Sequence, residues 1–382
     1  MRLIFWQRSL SPHQLPYIVR LINNDVVDYV AIVINETTTK ERLDMGWDVN
    51  YFEGIEKCNI FTNPNLSQIN ELLSFRPNDS WHFFSGIRAF PFVFKVFKLS
   101  LNYKIQRALI TERPNTFAFG LPNGKPLWLH WLRWKIMEHK YISKIQCVFA
   151  MGSDAVSFFR SISKKWNVYE FGYCTQAIFE IEDKKVLKDE NRRSVKIIYV
   201  GGLYWWKSVN TLLFAINQLS KKDKSIYLDL TVVGDGPEKI KLEKYVVKNK
   251  INHIRFLGKQ KQSYIPALLA QHDILVLPSI YDGWGAVVNE ALQNGLYVVC
   301  SDRCGAKSLL DNIKCGRIFK GGSVKNLADI LLFIERNRDT VVSLKSWRKE
   351  WAQEAISGDS IANYMIECLC NKNKNITLPW KK

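Results

Sequence analysis

The sequence predicts an α/β protein built from two doubly wound, Rossmann-like parallel-sheet domains, and three observations predict it. From residue 194 onward, short β-branched runs alternate with helix-length segments, the pattern of right-handed βαβ units. The first half repeats the scheme less cleanly with runs of its own. At 382 residues the chain is also longer than one hydrophobic core ordinarily serves, about 250–300 residues, so two domains are expected.

In the first half the candidate strands are "RLIFW", "YVAIVI", "WHFFSG", "RALITE", "IQCVFA" and "NVYEF". The mixed-charge stretch "EIEDKKVLKDENRRS", residues 180–194, has little apolar content and reads as a solvated linker. The boundary is accordingly expected near Tyr173 to Asn191, giving domains 1–175 and 176–344. The second half offers "VKIIYV", "YLDLTVV", "HIRFLG", "DILVLP", "LYVVC" and "GRIFK" as strands. Between the first two, Val209, Leu212, Leu213, Ile216 and Leu219 fall on one face of a helix. Residues 345–382 are helical in pattern, bring no new strand, and are expected to pack as terminal helices on the first domain.

Composition narrows the function classes. With 47% hydrophobic and 24% charged residues the chain is globular, neither disordered nor fibrous. A net charge of +18 points to an anionic partner: a nucleotide, a nucleic acid or an anionic membrane surface. Charge does not choose among them. Eight cysteines without C-x2-C spacing, most inside apolar stretches, read as buried free thiols rather than a metal site. With no secretory signal, a reducing cytoplasm is expected. The apolar start "MRLIFW" is broken by Gln7, Arg8 and Pro12, well short of the roughly 20 residues that span a bilayer. It reads as a first strand.

The chemistry concentrates in "DILVLPSIYDGWGAVVNEALQNG". In open α/β sheets ligands bind beyond the carboxyl ends of the strands, where the next helix begins. Pro278, Gly283 and Gly285 disfavour helix before about residue 285, after which the pattern is helical to Gly295. Asp282 therefore lies in the turn and Glu290 inside the helix. Eight helical residues would separate them by about 12 Å, whereas a turn at the start lets them address two ends of one elongated ligand. An ionised carboxylate accepts two hydrogen bonds from a vicinal diol, so sugar hydroxyls are matched partners. The competing reading is a capping Asp282 and a surface Glu290.

"SIYDGWGAVVNEALQNGLYVVCSD", preceded by "VKIIYVGGLYWWKSVNTLL", "LTVVGDGP" and "IRFLG", resembles the retaining nucleotide-sugar glycosyltransferases of the GT-B fold, family four. More weakly, "SPHQLPYI", "TERPN" and "MGSDAVSFFR" resemble the acceptor domain of that family. The resemblance implies two Rossmann-like domains facing across a cleft. It implies that Glu290 holds the nucleotide ribose, that Asp282 meets the donor sugar or supports the charge that develops on it, and that Gly283, Trp284 and Gly285 present backbone amides to sugar and diphosphate. Aspartate stands at 282 where the family more often has glutamate, which leaves the reach toward the sugar open. The family turn G-R-L-x-x-x-K-G reads "GGLYWWKS" here. Lys207 matches the lysine that neutralises the leaving diphosphate. Gly202 stands in the arginine's place and Ser208 in the glycine's, with Arg303 and Lys307 as substitute cations. Gly234 and Gly258 are implied to border the base.

On the acceptor side, Ser11 reads as a helix cap, His13 as a capping, packing or cleft residue, and Glu112 as a strand-end acid that either faces the cleft or is a solvated loop acid. The segment "LWLHWLRWKIMEHK" with Trp131, Arg133, Trp134 and Lys135 suits a membrane interface or an ordinary core helix. The expected activity is retaining transfer of a sugar from a UDP- or GDP-sugar to a glycan acceptor, polyprenyl-linked, in surface-polysaccharide synthesis. The expected place is the cytoplasmic face of the membrane. No metal, cofactor or nucleic acid is expected; no acidic D-x-D pair is present. A nucleotide-sugar epimerase of the same fold, or a nonenzymatic basic module for membrane or RNA, are the alternatives.

Overall fold

A computed structural model of the chain describes residues 1–36, 58–115, 127–175, 194–371 and 376–381. The mixed-charge linker expected at 180–194 lies outside them except for Ser194. Among the described residues the chain forms two compact units. One holds residues 1–175 and the returning segment Ser357–Trp380; the other holds 194–356.

The sheet of the first unit contains β1 (Arg2–Gln7), β2 (Tyr29–Ile34), β3 (Cys58–Thr62), β4 (Ser80–Phe84), β5 (Gln106–Glu112), β6 (Cys147–Met151) and β7 (Asn167–Phe171). All pairings are parallel, in the order β3-β2-β1-β4-β5-β6-β7. β1 is buried along its whole length, because a central parallel strand carries helices on both faces and so reads as an unbroken apolar run. β3, "CNIFT", is an edge strand exposed at Asn59 and Thr62; its weak apolar signal explains why the sequence pattern misses it.

In the second unit the strands are β8 (Val195–Val200), β9 (Leu228–Val233), β10 (Ile254–Gly258), β11 (Ile274–Leu277), β12 (Tyr297–Ser301) and β13 (Gly316–Phe319). They too pair in parallel, in the order β10-β9-β8-β11-β12-β13. The helix Val209–Lys222 buries the five residues its periodicity marks. In each sheet the strand order reverses near the centre, between β1 and β4 and between β8 and β11, which is where open α/β sheets bind ligands.

The terminal helices divide between the units instead of staying together. Lys345–Ala355 is fastened to the second unit by Arg348, whose side chain is 1% exposed. Its guanidinium donates to the carbonyls of Gly295 (2.7 Å), Lys314 (3.2 Å) and Val341 (2.6 Å). Gly358–Cys370 lies on the helix Leu15–Ile22 so closely that a Cβ at Gly358 would sit 2.4 Å from the Pro16 carbonyl oxygen. Arg20 pairs with Asp359 there at 3.1 Å. Among the described residues no helix is long and apolar enough to cross a membrane. All eight cysteines are free, six of them buried.

Candidate functional site

At the switch point of the second sheet, the loop after β8 and the loop after β11 each contribute one charge. Lys207 ends a short 3-10 turn, Trp205–Lys207, and its Nζ lies 2.7 Å from Asp282 Oδ2. Both side chains are largely buried, 23% and 12% exposed, so the pair is less screened than a surface ion pair. Ser279 Oγ reaches the same oxygen at 3.5 Å. The Asp282 backbone is held in line by a parallel bridge to Cys304: its N–H donates to the Arg303 carbonyl and its carbonyl accepts from Gly305, both at 3.2 Å.

The Gly-Trp-Gly turn is anchored inward. Trp284 is 1% exposed and its Nε1 donates to the buried Asn289 Oδ1 at 2.8 Å, tying the turn to the helix Val287–Gln293 that follows. Its carbonyl accepts from the Ala306 N–H at 2.8 Å. Gly285 has φ +91, and a Cβ there would meet Leu277 at 2.8 Å and the Cys304 sulfur at 2.9 Å. Gly283 admits the Gly305 backbone so closely that a Cβ on Gly305 would lie 2.1 Å from the Gly283 oxygen. Gly285 and Gly305 are thus demanded by packing before any ligand is considered.

Glu290 occupies the first turn of that helix, and Gln262, from the loop after β10, donates to its Oε1 at 2.7 Å. Burial pushes the Glu290 carboxyl up to about 7, against the smaller downward pull of Gln262. Neither capping by Asp282 nor surface decoration by Glu290 describes this geometry. The helix has no side-chain cap, and both carboxylates have dedicated partners.

The turn "GGLYWWKS" departs from the family pattern for visible reasons. A Cβ at Gly202 would fall 2.7 Å from the Tyr204 ring, and that ring is stacked on Trp206 at 4.7 Å and 7°. The first carbon of any side chain at 202 therefore meets that ring where it now lies. Tyr199 donates its hydroxyl to the Gly202 carbonyl at 2.9 Å. Ser208 sits in the left-handed region with φ 53, where glycine is the usual residue, and its hydroxyl lies 2.8 Å from Thr211 Oγ1. Of the substitute cations, Arg303 is 57% exposed beside Asp302 and Lys307 donates to the Asp302 carbonyl at 2.9 Å. Gly234 has φ +138 and admits the Gly201 carbonyl to 1.9 Å from where its Cβ would be. Its N–H donates to Gly258, itself at φ +66.

The first unit carries a second feature at the corresponding edge. A cavity of about 320 Å³ is lined by residues of β1, β4, β5 and β6 and of the segments after β1, β4 and β7, among them Gln7, Gln14, Ser85, Thr111, Glu112 and Tyr173. Tyr173 donates to Glu112 Oε1 at 3.1 Å, and the His13 ring lies 5.7 Å from the Tyr173 ring. The sequence-predicted His13 and Glu112 are thus brought together through Tyr173. Ser11 is not the helix cap expected of it. The helix begins at Leu15 with Gln14 at the cap and Pro16 in the first turn, and Ser11 Oγ instead accepts the His13 N–H at 3.4 Å. Proline at the second helical position fixes the start downstream of the serine.

In the helix Leu127–Met137, Trp128, Leu129, Trp131, Leu132, Ile136 and Met137 are all exposed, together with Arg133. Trp134 turns inward, edge-on to Phe159 and Trp166. Lys135 donates to the Ile162 carbonyl at 2.7 Å. Among the described residues, no three histidine, cysteine or acidic side chains group as a metal-ligand set.

Two parallel sheets of this order in one chain define the GT-B architecture. Anabaena HepE, solved with UDP and with UDP-glucose, shares it. The UDP complex superposes with a TM-score of 0.69 over 97% of this chain and 99% of that one, at 16% identity. Residues 179–355 match the family glycosyl transferases group 1. An uncharacterized glycosyltransferase of Methanocaldococcus jannaschii is 24% identical over 46% of this chain and 48% of its own length. The GDP-mannose-dependent alpha-(1-6)-phosphatidylinositol monomannoside mannosyltransferase of Mycobacterium tuberculosis is 25% identical over 43% and 44%. The chain spans about half the length of these curated relatives.

Proposed function

We propose that the chain is a retaining glycosyltransferase that moves a sugar from a nucleotide-diphosphate donor to a glycan acceptor, with the donor held by the second unit and the acceptor by the first. The observation that carries this reading is the Lys207–Asp282 pair at 2.7 Å, with Glu290 on the next helix, inside the stretch that matches group 1. An ammonium group has three N–H donors, so Lys207 can keep Asp282 and still meet a diphosphate oxygen. As the bond between the anomeric carbon and the β-phosphate oxygen breaks, negative charge grows on the diphosphate, and a lysine already fixed there stabilises it without reorganisation. The acceptor hydroxyl attacks from the face the diphosphate leaves, and its proton passes to the departing phosphate oxygen. Asp282 holds the lysine and faces the positive charge of the sugar. Glu290 accepts from the ribose diol, which takes the place of Gln262 on the carboxylate.

A lipid-linked acceptor in surface-polysaccharide synthesis is the finer reading. Its support is the helix Leu127–Met137, whose exposed tryptophans and aliphatic side chains beside Arg133 suit a bilayer interface with anionic lipid. UDP heads the donor candidates because HepE is solved with it; GDP is the second, from the name of the mycobacterial relative.

A thermal-shift panel of UDP- and GDP-sugars, run on the wild type and on Glu290→Ala, tests the donor. At least one sugar nucleotide is expected to stabilise the wild type and not the variant; no stabilisation of the wild type by any of them contradicts the proposal. Sedimentation with anionic vesicles tests the membrane reading. Binding is expected to fall when Trp128 and Arg133 are both replaced by serine, and unchanged binding counts against that helix.

A further inference from the structure

We infer that the cavity at the carboxyl edge of the first sheet is a subsite for one neutral sugar ring, anchored by the Gln7 amide and the Glu112 carboxylate. It rests on the glycosyl-transfer reading only in naming that ring as part of the acceptor. The volume, about 320 Å³, is at the small end of ligand pockets, which run about 300–1,000 Å³, so one ring is a better match than a dinucleotide-sized ligand.

The key group is Gln7. It ends the central strand β1, is 6% exposed, lines the cavity, and its Nε2 has no hydrogen-bond partner among the described residues. A buried amide without a partner is destabilising, and most such groups in folded proteins are satisfied. An aliphatic side chain would serve a purely structural role here at no such cost. A sugar hydroxyl both donates and accepts, so it satisfies the amide whichever end faces the cavity. The apolar walls, Phe83 and Phe90 among them, suit the C–H face of a pyranose, and Thr111 and Tyr173 add further polar edges. Among the described lining residues, Glu112 is the one that carries a charge. A carboxylate accepts from hydroxyls but repels a uronate or a phosphorylated ring, which makes the preferred ring neutral.

Saturation-transfer NMR on the full chain tests this with the methyl glycosides of glucose, galactose, mannose and N-acetylglucosamine, and with methyl glucuronide. At least one neutral glycoside is expected to bind and the glucuronide not to. Gln7→Leu is expected to weaken the neutral glycoside at least tenfold while UDP or GDP affinity, measured by calorimetry, stays within about twofold. Glu112→Gln is expected to admit the glucuronide, and this swap decides the matter alone should Gln7→Leu not fold. The inference is overturned if a chain that binds nucleotide binds none of the neutral glycosides, or if the two variants leave glycoside binding and selectivity as they are in the wild type. If glycosides bind in a Gln7-dependent way and no nucleotide binds, the donor reading fails and the subsite stands.

Discussion

The two sheets share one strand order over six strands, the first adding β7 at its edge, and differ in what stands at their carboxyl edges. At the edge of the second, the charged groups of the candidate site have partners: Lys207 has Asp282 and Glu290 has Gln262. Around them the loops press so tightly that Gly234 and Gly305 tolerate no Cβ. At the edge of the first there is open volume and a buried amide that lacks a partner among the described residues. The same topology thus supports a preorganised electrostatic device on one side and a receptive pocket on the other. Chemistry that must stabilise developing charge needs charges fixed beforehand, whereas recognition of a neutral ring needs space and a few unsatisfied polar groups.

The contrast can be broken, most strongly at Lys207. Lys207→Met removes the cation proposed to face the diphosphate and takes the 2.7 Å ammonium partner from Asp282. Donor turnover, followed as release of nucleoside diphosphate, is expected to fall about 10²–10³-fold. A drop under threefold would mean that the pair is structural only.

Glu290 comes next. Its carboxyl is raised from 4.5 to about 7 by burial, so the folded state binds its proton more tightly than the unfolded chain does. The resulting stability is fully present below about pH 4.5 and is lost as the pH rises through about 7. Relative to Glu290→Gln, the unliganded wild type should lose on the order of 3 kcal/mol between pH 4.5 and pH 8 in urea melts. UDP or GDP affinity should rise over the same window, because the diol needs the ionised form. A difference between wild type and variant that does not change with pH contradicts the assignment.

Gly234→Ala sharpens the packing half of the contrast. With a Cβ 1.9 Å from the Gly201 oxygen, the loops after β8 and β9 must separate, at a cost of roughly 2 kcal/mol or more. The smallest effect is expected at Ser208. Glycine there relieves the left-handed strain, about 1–2 kcal/mol, but loses the hydroxyl contact to Thr211, about 0.5–1.5 kcal/mol. Ser208→Gly should therefore stay within about 1 kcal/mol of the wild type, while Ser208→Val, which keeps the strain and loses the contact, should be clearly less stable.

Much of the fold was legible because buried parallel strands announce themselves. "YVAIVI" and "DILVLP" have no other comfortable environment, and Val209 to Leu219 mark their helix by period alone. β3 escaped because an edge strand is not required to be apolar on both faces. The glycines and Pro278 placed Asp282 in the turn and Glu290 in the helix, whereas Lys207 stood out only through the family resemblance. Gln262, Ser279 and Gln7 were not, since each acquires its meaning from a partner or a cavity that only the tertiary fold supplies. The helix start was misread at Ser11 because a serine before an apolar run looks like a cap, whereas Pro16 sets the beginning at Leu15. Glycine at 202 was read as a missing arginine, and the stacked Tyr204–Trp206 pair shows what occupies that space.

The most direct measurement is a calorimetric double-mutant cycle at the ribose. The tighter of UDP and GDP, and its 2′,3′-dideoxy analogue, are titrated into the wild type and Glu290→Gln. If Glu290 grips the ribose diol, loss of the two hydroxyls weakens binding to the wild type at least tenfold and to the variant no more than about twofold. Equal losses in both proteins would show that the diol is held elsewhere and that the second unit does not bind its donor in the way proposed.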